Sequence, residues 1–170
     1  MFSYLETMYD LVPKLPYANF HPGHLVVRTL SDADFAGDLY TSKSTSGYCS
    51  FLEDTITPSR PLIDWSSKLQ SCVTANTPDS ELAAIHRSTV RSSIPIQLLV
   101  ESFYGFETPI YHLCDNKPSL HTIDNGASDA LRYLAKTQRI SIPLLSDIFS
   151  ADANMIDFVD QISVTSSQSS

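Results

Sequence analysis

Hydrophobic and polar positions change period several times along this chain, and the changes predict its elements. Three short runs rich in β-branched or aromatic residues, Leu25–Ser31, Ser46–Leu52 and Leu62–Ser66, are bounded by turn formers and predict strands. The segment EDTITPSRP between the last two holds two prolines and predicts an extended loop. From Thr77 the period lengthens. In TPDSELAAIHRSTV, Leu82, Ile85 and Thr89 recur at helical spacing and predict one buried face. Thr77 is a candidate N-cap, Pro78 suits the first helical position, and Asp79 and Glu81 suit the positive end of the helix dipole. Pro95 must kink or split this helix, because an interior proline removes a backbone donor. PIYHLCDN then predicts a fourth strand ending at Asp115. A helical region follows through ASDALRYLAKTQ and continues past Pro143 with a break, and MIDFV, residues 155–159, predicts a fifth strand.

Three strands, helix, strand, helix, strand is the order of an early antiparallel meander followed by alternating helix and strand. It predicts an α/β fold with a mixed five-stranded sheet flanked by helices. Residues 1–24, with Pro13, Pro16 and Pro22, read as an irregular leader or the remnant of an upstream domain, and residues 25–170 as the folded unit.

Composition narrows the chemistry. The protein has 170 residues, 42% hydrophobic and 18% charged, which is a globular balance. Its net charge of −8 argues against strong backbone-phosphate binding and suits a divalent metal somewhat better. Cys49, Cys72 and Cys114 form no C-x-x-C pair, so neither a zinc motif nor a disulfide framework is predicted; they read as small buried residues in a reducing compartment. The N-terminus has no basic signal-peptide region and no apolar stretch approaches bilayer-spanning length, which predicts an intracellular protein without a membrane partner.

Against that background SDADFAG, Ser31 to Gly37, stands out. Asp and Gly suit chain reversals. Asp32 could equally be a metal-binding carboxylate at a strand end, if matching acids exist. Two candidates do: Glu81 at the start of the long helix and Asp115 at the end of the fourth strand. Three converging carboxylates would repel one another, and divalent cations with hard-oxygen preference remove that repulsion. Neither a G-x-S-x-G or Cys/His nucleophile arrangement nor a Gly-rich phosphate loop occurs.

The blocks SDADFAGD, STSGYCSFL, IDWSSKLQ, PDSELAAI and YHLCDNKPSL occur in the order of, and closely resemble, those of the ribonuclease H domain of copia-type (Ty1/copia) retrotransposon Pol polyproteins. That family typically reads S-D-A-D-W-A-G-D, S-T-S-G-Y, I-x-W-x-S-x-K-Q, S-T-E-A-E-Y and C-D-N. The resemblance implies a ribonuclease H-like fold over residues 25–170 and makes Asp32, Glu81 and Asp115 the catalytic, metal-binding carboxylates, with Asp34 shaping the turn and Asn116 orienting Asp115. It implies two Mg²⁺ ions, with Mn²⁺ as substitute, and an endonuclease that hydrolyses the RNA strand of an RNA–DNA hybrid. It also implies a reverse transcriptase domain of the parent polyprotein as neighbour and partner, with residues 1–24 its remnant, and a cytoplasmic (retroelement particle) or nuclear location.

Some positions depart from the family pattern. Phe35 replaces Trp, Leu82 replaces Tyr, Leu69 interrupts the S-K-x-Q block, and Pro95 enters the helix. The family's fourth carboxylate lies in a C-terminal V-P-T-x-x-Q-x-A-D block. Setting Asn154–Asp157 against Q-x-A-D makes Asp157 that acid. Setting Val164–Gln168 against V-P-T-x-x-Q makes MIDFV the last strand, with the domain C-terminally truncated before the fourth acid. The second placement is preferred because the first leaves no room for the strand. The competing function is therefore a decayed, non-catalytic retroelement remnant with at most weak nucleic-acid binding.

The remaining polar residues have ordinary readings. His21, His24, His86, His112 and His121 form no ligand pair and predict surface or half-buried roles. Trp65 predicts a core anchor. Ser44, Thr45 and Ser46 predict a turn, with phosphate contact as the alternative, and Lys43, Lys68 and Lys117 are the cations nearest the motifs.

Overall fold

The computed structural model describes residues 20–21, 23–57, 59–126 and 139–159. Within them the protein forms β1 (Leu25–Asp34), β2 (Thr45–Asp54), β3 (Leu62–Leu69), α1 (Thr77–Ser88), a π-helical turn (Thr89–Ser93), α2 (Ile94–Tyr104), β4 (Ile110–Cys114), α3 (Lys117–Asp124), α4 (Ile142–Phe149) and β5 (Met155–Phe158). The strands make one sheet in the order β3-β2-β1-β4-β5. β1 to β3 are an antiparallel meander, whereas β1, β4 and β5 run parallel. The predicted mixed α/β sheet is therefore the fold observed. The predicted helix ASDALRYLAKTQ falls outside the described residues, as do Pro13, Pro16 and Pro22 and the stretch Val164–Gln168.

Strand alternation assigns the two faces. In β1, Leu25, Val27, Thr29, Ser31 and Ala33 are buried under the helices, while Arg28, Leu30, Asp32 and Asp34 alternate onto the other face. Two apolar clusters fill the helix side. One joins Leu82 and Ile85 of α1 to Cys114, Ile123 and Leu145; the other joins Ile96 and Val100 of α2 to Leu25, Val27 and Ile110. The predicted face Leu82, Ile85 and Thr89 is fully inside.

Between the clusters lies a band of hydroxyls. Thr29 Oγ1 is 3.0 Å from Ser50 Oγ and 2.8 Å from Ser93 Oγ, and Ser92 Oγ donates to Ser50 Oγ at 2.8 Å. These small side chains let the helix approach β1 and β2 closely and satisfy each other's polar groups. The same place explains Pro95. An interior proline costs roughly 3 kcal/mol in a regular helix. Here the ladder has already widened: Ile94 N–H donates to Thr89 O, five residues back, and Pro95 falls in the first turn of the new helix α2. The predicted split is real.

Several local expectations need correction. The N-cap of α1 is Asn76, not Thr77; its side-chain oxygen accepts from Asp79 N–H at 2.9 Å. β1 extends to Asp34, so Asp32 belongs to the strand and not to the turn after it. Trp65 is no core anchor, being 60% exposed, because β3 is an edge strand and no layer formed by the described residues covers that side. Of the cysteines only Cys114 is buried, and Cys49 is exposed beside Trp65 on the open face. His112 is fully buried, with Nε2 2.9 Å from Ser31 Oγ and its ring edge-on to Phe149.

Candidate metal centre

β1 and β4 are parallel neighbours with Leu30 opposite Leu113. Two residues further along come Asp32, within β1, and Asp115, one residue past the end of β4 and not in it as predicted, so one register brings both carboxylates to the same end of the sheet and the same face. The third acid arrives from a helix. α1 crosses β1 at its N-terminal end, where Asn76 and Pro78 fix the start, and Glu81 there is buried with 3% of its surface exposed. One carboxylate oxygen from each of Asp32, Glu81 and Asp115 lies within 4.8 Å of the others. Sheets with this topology place sites beyond the carboxyl ends of parallel strands where strand order reverses, which is the position of β1 between β2 and β4.

A single backbone amide ties two of the three together. Ala33 N–H donates to Asp32 Oδ1 at 2.8 Å and to Glu81 Oε1 at 3.3 Å. Glu81 Oε2 is buried and has no hydrogen-bond partner. Burial first, then the nearby charges of Asp32 and Asp115, push the Glu81 carboxyl up to about 7. Among the described residues no Lys or Arg forms an ion pair with any of these acids. A cluster of oxygen donors with one buried, unpartnered oxygen and no neutralising side chain fits a hard divalent cation. Such an ion would supply the orphaned oxygen with a partner and offset the repulsion.

The surrounding residues play structural parts. Asp34 packs against Gly37, where any Cβ would collide with its carboxylate, so Asp34 and Gly37 together close the turn after β1. Ser44 Oγ accepts from Ala36 N–H at 3.1 Å and pairs with Thr74 Oγ1 at 2.9 Å, and Ser46 Oγ accepts from Gln70 Nε2 at 2.8 Å. The hydroxyls of Ser44 and Ser46 are thus buried and engaged inside the protein, not offered to phosphates. Asn116 does not orient Asp115; its side-chain oxygen caps α3, accepting from Ser119 N–H at 3.0 Å and Ser119 Oγ at 2.8 Å. Lys117 Nζ sits over the Phe158 ring, 4.3 Å from its centroid. Asp157 lies in β5 opposite Leu113, outside the three-carboxylate group, and its Oδ1 accepts from Phe158 N–H. The open face beside the cluster forms a trough of about 630 Å³ whose walls include Leu30, Phe51, Trp65 and Leu113.

No protein-family model matches the sequence. A curated relative, the retrovirus-related Pol polyprotein from transposon TNT 1-94 of Nicotiana tabacum, is 27% identical over 117 residues, 69% of this protein. The protein spans 8% of that polyprotein's length. Among solved structures, a ribonuclease H1 isolated from compost by a metagenomic approach aligns over 80% of this protein and 85% of its own length, with a TM-score of 0.51 and 10% identity. The ribonuclease H1 of Halobacterium salinarum NRC-1 aligns over 79% and 86%, with a TM-score of 0.48 and 13% identity.

The fold is ribonuclease H-like, and the sequence is similar to part of a retrotransposon Pol polyprotein. Sequence reasoning named the three clustered acids of this ribonuclease H-like domain. It missed the shared Ala33 amide, which depends on β1 continuing past Asp32, and the burial of His112, which has no signal beyond alternation in β4.

Proposed function

We propose that this domain hydrolyses the RNA strand of RNA–DNA hybrids at a centre of two Mg²⁺ ions held by Asp32, Glu81 and Asp115, with Mn²⁺ able to substitute. The observation that carries the reading is the convergence of these acids within 4.8 Å, with one buried Glu81 oxygen unpartnered, in a ribonuclease H-like sheet. The S-D-A-D, S-T-S-G-Y and C-D-N blocks support a copia-type origin and, with it, the hybrid as substrate.

When bound, paired divalent cations activate water and stabilise the leaving oxygen of a phosphodiester. The protein's own contribution is positioning. β1 and β4 hold Asp32 and Asp115 in register, and the Ala33 amide fixes an oxygen of Asp32 and one of Glu81 about a single hydrogen. Glu81 retains a proton near neutrality while no cation is present, so loading the centre displaces that proton and strengthens as pH rises through about 7. The helix-free face next to the centre leaves an approach for an extended strand.

The reading of a non-catalytic remnant rested on the missing fourth acid, the acidic charge and Pro95; the π-helical turn answers the last of these, accommodating Pro95 without loss of the α1 position that carries Glu81. Residues 1–24 as the end of an upstream reverse transcriptase region, and a retroelement particle or nucleus as location, remain parts of the same proposal. The test is a hybrid labelled on either strand, incubated with the full-length protein in Mg²⁺ and then in Mn²⁺. Cutting of the RNA strand alone, lost in Asp32→Asn, is expected. No cutting by folded protein, or equal cutting of both strands, overturns it.

A further inference from the structure

A second cleft lies on the helix side of the sheet, between the β3 edge and the outer surface of α1. It has a volume of about 400 Å³ and its walls carry Lys68, His86, Arg87, Arg91 and Arg139, with Ser46 and Gln70 among its other lining residues. The protein has 11 Lys and Arg in all and a net charge of −8, so four of its cations meeting in one cleft is a pronounced local excess. Cations are normally spread among acids or paired with them. None of these four forms an ion pair among the described residues, while Arg28 and Arg60 on the other face both pair with Glu53. The acid associated with this side, Asp64, already accepts from the Tyr48 hydroxyl at 3.0 Å. Arg87 Nε is moreover buried without a hydrogen-bond partner.

The cleft is rigidly tied to the carboxylate centre. Ser46 pairs with Ala33, the residue whose amide holds Asp32 and Glu81. Gln70 Nε2 donates both to Ser46 Oγ and to Ser80 O, linking β2, the end of β3 and α1 beside Glu81. Arg87 is six residues and Arg91 ten residues beyond Glu81 in the sequence, which at helical rise is roughly 9 and 15 Å along the axis. That spacing amounts to a few nucleotides of a backbone running along α1.

We propose that Lys68, Arg87, Arg91 and Arg139 form a phosphate-binding cleft that grips the sugar–phosphate backbone of the nucleic acid a few nucleotides from the carboxylate centre. This rests on the hybrid being the substrate. Guanidinium forks suit phosphate oxygens geometrically. The cleft also explains how a protein of net charge −8 could hold a polyanion: it concentrates the few cations where they act and leaves the remaining surface acidic.

The test measures binding of a fluorescent RNA–DNA hybrid to the full-length protein in Ca²⁺ over a range of salt. Variants are Lys68→Gln, Arg87→Gln, Arg91→Gln and the charge-preserving Arg87→Lys, with Lys43→Gln as a cation outside the cleft; folding is verified by circular dichroism. Each cleft Gln variant is expected to bind several-fold more weakly, with the slope of log K against log salt reduced by about 1. Arg87→Lys and Lys43→Gln should keep the parent slope. Unchanged affinity and slope in the cleft variants, with the parent still binding and cutting hybrid, overturns the cleft while leaving the catalytic reading intact. Hybrid that neither binds nor is cut overturns both. A parallel titration with inorganic phosphate distinguishes a small-anion site: phosphate bound at the cleft without any effect of the variants on hybrid affinity also overturns the proposal.

Discussion

Replacing Glu81 by Gln should stabilise the metal-free protein, even though it destroys the proposed centre. Glu81 is 3% exposed, and its carboxyl is raised from an ordinary 4.5 to about 7 by burial and by Asp32 and Asp115. A carboxyl raised in the folded state favours folding while protonated; that contribution is full below the unfolded value and is lost as pH rises through the folded one. Between pH 4.5 and pH 8 the loss amounts to about 3 kcal/mol. The Gln amide has nearly the same shape and no charge, but leaves donors unpaired where Glu81 Oε2 now lies, at a cost of about 1 kcal/mol. In EDTA at pH 8, Glu81→Gln is therefore expected to be about 2 kcal/mol more stable than the parent, roughly 4–8 °C in Tm. At pH 4.5 that advantage should vanish or reverse. Urea unfolding of both proteins at the two pH values gives the difference directly and cancels the titrating groups that do not interact with Glu81. A variant less stable than the parent at pH 8 as well as at pH 4.5 would refute the claim that Glu81 is held in an electrostatically unfavourable cluster.

Other expectations concern the scaffold. His112 is fully buried, and burial lowers its imidazole to about 3, so it is neutral when folded; its contribution to stability is complete above about 6.5 and lost as pH falls, by about 2 kcal/mol at pH 5. An NMR titration of the folded protein should find it neutral at pH 5, and a midpoint near 6.5 would contradict this. Ile85→Ala, at a position with 0% exposure under α1, is expected to cost about 3 kcal/mol in urea unfolding; less than about 1 would mean α1 does not pack on the sheet as described. Gly37→Ala should cost at most about 1 kcal/mol, because the Cβ meets only the movable end of the exposed Asp34 side chain, and adding Asp34→Ala should recover most of it, a coupling that a double-mutant cycle measures. Additive losses would remove the contact from the account.

Much of this was legible in the residues, for identifiable reasons. β1, β4 and α1 have strong periodicity and distinct ends, so their existence and the buried face through Leu82, Ile85 and Thr89 followed from pattern. The grouping of Asp32, Glu81 and Asp115 was suggested by their places at strand ends and a helix start and made specific by the family wording, because spacing along a sequence says nothing about the register that sets Leu30 opposite Leu113. Trp65 misled because an aromatic in a strand has two faces to choose from, and the choice depends on which side of the β3 edge strand is covered. Asn76 outcompeted Thr77 as cap by one position, and Asn116 was taken by the α3 N-terminus instead of Asp115, since both asparagines had an orphan amide within reach. The cationic cleft had no signature at all. Lys68, the Arg87–Arg91 pair and Arg139 are far apart in the sequence and meet only once β3, α1 with its π-helical turn, and the segment before α4 are folded together.

The central claim is that three carboxylates act as one divalent-cation site, and calorimetric titration of the full-length protein with Mg²⁺ at pH 6 and pH 8 tests it most directly. The account predicts binding that is tighter at pH 8, because the proton on Glu81 no longer competes, and that is lost or severely weakened in each of Asp32→Asn, Glu81→Gln and Asp115→Asn. Mg²⁺ binding with the same affinity in the parent and in all three variants, or none in the folded parent at either pH, would contradict it.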